Sequence, residues 1–198
     1  RNEKIRNENL STNLKLLQAQ YRPHFLFNIL NTIYFSIDEK DKTARGAVEH
    51  LSNLLRRQLY TAEEKVPLSN ELSVLESYIE LYRLRFGNTV SVYTSFKHVH
   101  QSVCIYPYLL MPLVENAFKY VSGKKTINID MRLSGENSLI FCVKNSISGP
   151  LIEKTSSGGV GLKNLKQQLL IYYGENGFRL ETSKIDNEFT AVLELFDI

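Results

Sequence analysis

Cysteine is scarce in this chain of 198 residues: there are two, Cys104 and Cys142, both in apolar surroundings. Two such thiols fit buried free cysteines in a reducing compartment better than a disulfide framework. No Cys/His cluster has zinc-ligand spacing. No apolar run reaches the length of a membrane span, and no signal peptide is visible. An excess of one charge sign is also lacking. The net charge is +3 and the basic residues are scattered, which argues against nucleic acid as a partner. There is no internal repeat and no low-complexity tract. What is present is ordinary for a soluble globular protein, 43% hydrophobic and 23% charged residues. The length suffices for one sizeable core or two small domains. The chain opens without Met, in the polar helical sequence Arg1-Asn2-Glu3-Lys4-Ile5-Arg6, which reads as a piece of something longer.

The first third is helical by periodicity. Leu10, Leu14, Leu17 and Tyr21 form one apolar seam, and Leu26, Leu30, Ile33 and Ile37 form a second. The step of five from Tyr21 to Leu26 rephases the seam, and Pro23 sits in that break. Proline lacks the N–H that would bond the Ala19 carbonyl, so the spacing predicts one helix over 3–37 with a kink at Pro23. Continuing the first seam past the kink lands on His24, Asn28 and Asn31, a polar line headed by a side chain that can be a neutral nucleophile near pH 7. A histidine between phenylalanines is, by itself, most often a packed or surface side chain. A second helix is expected over 43–62, after the charged turn 38–42. Two amphipathic helices with a short connection make an antiparallel hairpin, and two hairpins in a dimer make a four-helix bundle. Coiled-coil segments with no enzymatic role show the same seams.

Beyond Val66-Pro67 the texture changes. A third helix is expected over 69–85, a strand over 90–96 and a helix over 107–121. Ile127 to Leu133 and Leu139 to Val143 alternate as a hairpin around 134–137. The run 155–159 reads as a loop and 160–173 as a helix. A last hairpin turns at Asp186-Asn187. The fold class is therefore α+β: a helical first part, then a sheet with helices on one face.

Two further constellations carry chemistry. Pro112-Leu113-Val114-Glu115-Asn116-Ala117-Phe118-Lys119 places Asn116 and Lys119 as neighbours on one helix face. An amide oxygen can ligate Mg²⁺, and a lysine one turn on can meet phosphate. A polar stripe on an amphipathic helix looks the same. Gly158-Gly159-Val160-Gly161-Leu162-Lys163-Asn164 is a glycine-rich turn opening a helix, where backbone N–H groups can approach phosphate. It lacks the Gly-Lys-Ser/Thr ending of a Walker loop and does not follow a strand in a βαβ unit.

In content and order, these segments resemble the sensor histidine kinases of the LytS-like type. Pro23-His24-Phe25-Leu26-Phe27-Asn28 matches the family's phosphoacceptor box. Leu113 to Lys119 resembles its N box, and Gly159-Val160-Gly161-Leu162-Lys163-Asn164 its glycine box. Glu80-Leu81-Tyr82-Arg83-Leu84-Arg85-Phe86-Gly87 resembles the segment leading into the catalytic domain.

The resemblance implies dimerising, histidine-bearing helices over 1–65. It implies a GHKL-type ATP-binding domain, an α/β sandwich of the Bergerat type, over 66–198. It implies a homodimer, the cytoplasmic region of a membrane-bound sensor whose membrane segments are absent from this chain. His24 would be phosphorylated from ATP and pass the phosphoryl group to an aspartate of a response regulator. Asn28 and Glu115 would be the other catalytic candidates, with Asn116 on Mg²⁺. Lys119, Asn145, Gly159, Gly161, Leu162 and Asn164 would line the nucleotide. Asn145 stands where the family carries an aspartate that accepts from the adenine amino group. An amide accepts there without charge assistance, and the lid stretch 147–158 is short. These two departures favour the alternative, a degenerate scaffold or phosphatase with weak nucleotide binding.

Overall fold

A computed structural model describes residues 23–59, 64–97, 103–135, 137–148 and 158–198. The chain divides into two compact units, 1–61 and 62–198. In the first, α1 spans Pro23–Ser36 and α2 spans Lys42–Leu59. The seam from Leu10 to Tyr21, and with it the upstream side of the expected kink, lies outside the described residues. Asp41 caps α2: its Oδ1 accepts from the Ala44 N–H at 3.0 Å, satisfying one of the first-turn donors. The Arg45 guanidinium donates to the Ile37 carbonyl at 3.0 Å and lies 5.0 Å from the Tyr34 ring centroid, tying α2 to the end of α1. Leu30 is buried. Ile29, Ile33, Phe35 and Leu51 are exposed.

The second unit runs β1 (Val66–Pro67), α3 (Leu68–Phe86), a 3-10 turn (Gly87–Thr89), β2 (Ser91–Lys97), β3 (Cys104–Ile105), α4 (Met111–Tyr120), β4 (Thr126–Ser134), β5 (Ser138–Ser146), α5 (Gly158–Tyr173), β6 (Phe178–Ile185) and β7 (Glu188–Leu195). Five strands form a mixed sheet in the order β2-β4-β5-β7-β6. β2 runs parallel to β4, and the other pairs are antiparallel. β1 and β3 form a separate two-stranded ladder. Gly87 stops α3 because its φ of 57° is a left-handed conformation that glycine adopts without a Cβ clash. The β6–β7 turn has positive φ at both central residues, Asp186 at 49° and Asn187 at 63°, as a two-residue hairpin requires.

The core lies on one face of the sheet. Ile127, Ile129 and Met131 of β4 face it, registered with Asn145, Val143 and Phe141 of β5. Val143, Phe141 and Leu139 are registered in turn with Ala191, Leu193 and Leu195 of β7. α4 buries Met111, Leu113, Val114, Ala117 and Phe118, packing on β4 and β5. α5 packs beside α4 and buries Leu165 and Leu169. This is the α+β sandwich that the alternation predicts. The helix expected from 107 begins at Met111 instead, because Tyr108 takes a φ of 62°, which no α-helix contains. The β1–β3 ladder is not in the sequence reading. Among the described residues, no helix is long and apolar enough to cross a membrane.

Candidate functional site

The buried stripe of α4 fixes what its other side can do. With Leu113, Val114, Ala117 and Phe118 turned inward, Glu115 and Lys119 are exposed and Asn116 is half-buried at the margin. The Lys119 ammonium lies 5.2 Å from the Tyr120 ring centroid. Partial desolvation raises the Glu115 carboxyl above its ordinary value of 4.5. Burial first, and then the Glu115 carboxylate, push the Tyr78 phenol above its ordinary 10.0. Tyr78 and Tyr82 of α3 press on Phe118, with ring centroids 5.6 and 4.0 Å away. Phe86 stacks on Tyr82 in turn. This aromatic row at spacings of four packs on Phe118 of α4; the spacing was visible in the sequence, its role was not.

Asn145 is the last inward residue of β5, 1% exposed. Its Nδ2 donates to the Ser146 carbonyl at 3.3 Å, and its Oδ1 is buried with no hydrogen-bond partner among the described residues. A buried acceptor left unpaired costs about 1–3 kcal/mol, so such an atom is normally completed by something else. An exocyclic amino group of a base would complete it. The end of β5 is tied to the loop that follows α4. Ser146 Oγ donates to the Ser122 carbonyl at 2.7 Å, and Ser122 N–H donates to the Ser146 carbonyl at 2.9 Å. The Ser148 N–H donates to Ser122 Oγ at 2.8 Å. The C-terminal ends of α4 and β5 are thereby held together, which puts the Asn116–Lys119 stretch and Asn145 on neighbouring elements of one wall.

The glycine run forms the first turn of α5, which begins at Gly158 rather than at the expected Val160. Gly159 and Gly161 are thus helical residues, and the first four N–H groups of the helix have no acceptor within it. Among the described residues, a Cβ built on Gly161 meets nothing within 4 Å. Packing therefore does not demand glycine here, although glycine costs about 1 kcal/mol against alanine inside a helix. A group that approaches the backbone closely, such as a phosphate, would use that space. Leu162 is half-buried and Asn164 exposed. The Ile147–Gly158 stretch read as a short lid falls mostly outside the described residues.

His24 and Asn28 belong to α1 in the first unit. The His24 side chain lies outside the described ones; Asn28 is exposed, one turn on. His98 and His100 also lie outside the described residues. Sequence reasoning missed Glu71, a carboxylate 4% exposed on α3 that accepts from the Tyr108 N–H at 2.9 Å. Its signal was there, an acid in helical phase with Leu68 and Leu75.

Residues 12–90 match the family model described as Histidine kinase. An uncharacterized sensor-like histidine kinase of Staphylococcus epidermidis is 36% identical over 120 residues, 61% of this chain and 23% of that protein. Sensor protein kinase HptS of Staphylococcus aureus is 27% identical over 195 residues, 90% of this chain and 37% of that protein. The chain therefore spans less than two fifths of the length of these curated relatives. Among solved structures, the catalytic domain of histidine kinase ThkA superposes with a TM-score of 0.51 at 14% identity, covering 68% of this chain and 96% of that one. Full-length ShkA in complex with AMPPNP gives 0.52 at 14% identity, over 93% of this chain and 45% of that one. At such identity the superpositions speak for the fold alone. Family segment, relatives and fold agree: the chain is a homologue of the sensor histidine kinases, and its second unit has the fold of a histidine kinase catalytic domain.

Proposed function

We propose that the chain is the kinase region of a two-component sensor of the LytS-like type, which phosphorylates its own His24 from ATP. The sheet domain, 66–198, binds the nucleotide; the helices, 1–65, carry the acceptor and form a homodimer. The observation that carries this reading is the orphaned Oδ1 of Asn145, a buried acceptor that an adenine amino group would complete. The open space over Gly161 at a helix N-terminus supports phosphate binding in the same domain.

An amide oxygen suits Mg²⁺, which takes few protein ligands, so Asn116 would hold the ion. When bound, the ion neutralises charge on the phosphate oxygens. Lys119 adds a positive point charge, and the N–H groups of Gly159, Gly161, Leu162 and Asn164 lie along the first turns of α5. At His24, a neutral imidazole nitrogen forms the bond to the γ-phosphorus as the bond to the ADP oxygen breaks, and ADP leaves. Residue 25 is Phe, so no adjacent acid serves as base; Glu115, with its raised affinity for a proton, is the candidate on the ATP side. The phosphoryl group then passes to an aspartate of a response regulator. Asn28, one turn from His24, would orient water in the reverse, phosphatase direction. The neutral amide at 145 favours a second reading, a dimeric scaffold or phosphatase with weak nucleotide binding.

Labelled ATP separates the two. The kinase reading requires acid-labile label in the wild type, none in His24→Gln, and Mg²⁺-dependent ATP binding that Asn116→Ala removes. Absence of label in a wild-type protein that dephosphorylates its regulator would establish the second reading instead. Asn28→Ala should label normally and dephosphorylate slowly.

A further inference from the structure

The segment near the start of the second unit is fastened to the roots of both helices assigned to the nucleotide. β1 (Val66–Pro67) pairs with β3 (Cys104–Ile105), and the Leu68 N–H donates to the Val103 carbonyl at 2.8 Å. One turn into α3, the buried Glu71 carboxylate accepts from the Tyr108 N–H at 2.9 Å. Tyr108 is held at a φ of 62°, an unfavourable conformation for a residue with a Cβ. Leu109 and Leu110 follow, fully buried, and α4 starts at Met111. The Glu71 bond therefore holds the strained residue from which α4 departs.

The same segment grips the far end of α5. Tyr106 stacks face to face on Tyr172, with centroids 4.2 Å apart and planes at 9°, and meets Tyr173 edge-on at 5.5 Å. The Tyr106 N–H donates to the Tyr173 hydroxyl at 3.4 Å. The Lys65 ammonium lies 5.9 Å from the Tyr106 centroid and 5.7 Å from that of Tyr173. Burial pushes the Tyr173 phenol up to about 12, so it stays protonated and the cation faces two neutral rings. An α-helix transmits a displacement of one end to the other as a rigid body, and the other end of α5 is the glycine turn.

We propose that Lys65, Glu71 and Tyr106 are positioning residues for the nucleotide site, forming a latch through which the opening segment of the second unit, 65–71, sets the placement of α4 and α5 together. The proposal rests on the nucleotide reading above for its consequence, and on the packing alone for its mechanism. Rotation or strain in 65–71 then alters the Asn116–Lys119 stretch and the glycine turn at once, and nucleotide binding restrains 65–71 in return, because coupling is reciprocal.

The test uses the full chain with AMPPNP as probe. Amide resonances of Gly158 to Gly161 and of Asn116 to Lys119 are followed without nucleotide, with those of β7 as the control for intact folding. In Tyr106→Leu both groups shift while β7 does not, and AMPPNP binds roughly tenfold more weakly, within the ~5–150-fold ordinary for coupled sites. Tyr106→Phe, which keeps the stacked ring, restores both. Lys65→Met, exposed and unable to unfold the domain, moves the same resonances and weakens AMPPNP by about two- to fivefold, the change matching an exposed cation–π contact. Unmoved resonances in Tyr106→Leu and Lys65→Met overturn the latch. Shifted resonances in a protein that never binds AMPPNP uphold the latch and overturn the nucleotide reading.

Discussion

The two units of this molecule solve the burial problem in opposite ways. Among the described residues of the helical unit, Leu30 is the one buried apolar side chain, while Ile29, Ile33 and Phe35 stand exposed, Phe35 at 77%. The sheet unit buries a continuous set from Leu68 to Leu195, with Phe141, Leu193 and Leu195 wholly enclosed. A sheet with helices on one face closes its own core. A pair of helices cannot, because two cylinders touch along one line and leave the rest of each stripe open. The lesson is that the described helices of the first unit leave an apolar stripe for a second surface to cover, which on the proposed reading is another copy, while the sheet unit closes its own core.

The sharpest way to break this contrast is at the open stripe. Ile29→Asp combined with Ile33→Asp should turn a dimer into a monomer outright in sedimentation, and leave AMPPNP binding by the sheet unit intact. A dimer that survives both charges would place the second surface elsewhere. Next in size, Phe141→Ala should cost about 3–5 kcal/mol in urea unfolding of the sheet unit, as large-to-small changes in closed cores do. Phe35→Ala, at a side chain this exposed, should change monomer stability within about ±0.5 kcal/mol. Smaller again, Asn145→Asp should tighten ATP by about 1 kcal/mol through charge assistance, and Asn145→Leu should weaken it. Equal affinities in calorimetry would move base recognition off β5.

The smallest effect is at Glu115. Its carboxyl binds a proton more tightly in the folded state than in the unfolded chain, since partial desolvation raises it above 4.5. Its contribution to stability is therefore greatest below that value and declines as pH rises through the raised folded value. Glu115→Gln should abolish this decline. The two proteins should differ more near neutral pH than in acid, a difference that chemical unfolding across pH reads directly.

Much of the sheet unit was legible because strand alternation has a period of two and no competitor. Leu139, Phe141 and Val143 put the inward face of β5 in view, and Asn145 is simply the next position in that phase. The Asp186-Asn187 turn was legible for an equally local reason. What escaped the sequence is non-local or too short. β1 and β3 have two residues each, and no periodicity exists over two residues. The delayed start of α4 depends on a carboxylate 37 positions earlier, Glu71, bonding the backbone of Tyr108. Proline at 107 and an apolar run beyond it read as a helix start, and tertiary bonding overrode them. Of the candidate site, residue types and order were readable, but the unpaired Oδ1 of Asn145 was not, since orphanhood belongs to the surroundings of an atom.

That amide has a consequence for purine selectivity. A carboxylate at the base of an adenine pocket repels the guanine O6, because both are acceptors. An asparagine carries both a donor and an acceptor: turned over, it would offer Nδ2 to the O6 of guanine, at the cost of setting Oδ1 against the Ser146 carbonyl, acceptor against acceptor. What holds the present orientation is the donation from Nδ2 to the Ser146 carbonyl at 3.3 Å, beyond the usual range for N–H···O bonds. On the proposed adenine role, the preference for ATP over GTP therefore hangs on one long bond, and GTP acceptance is a single side-chain rotation away.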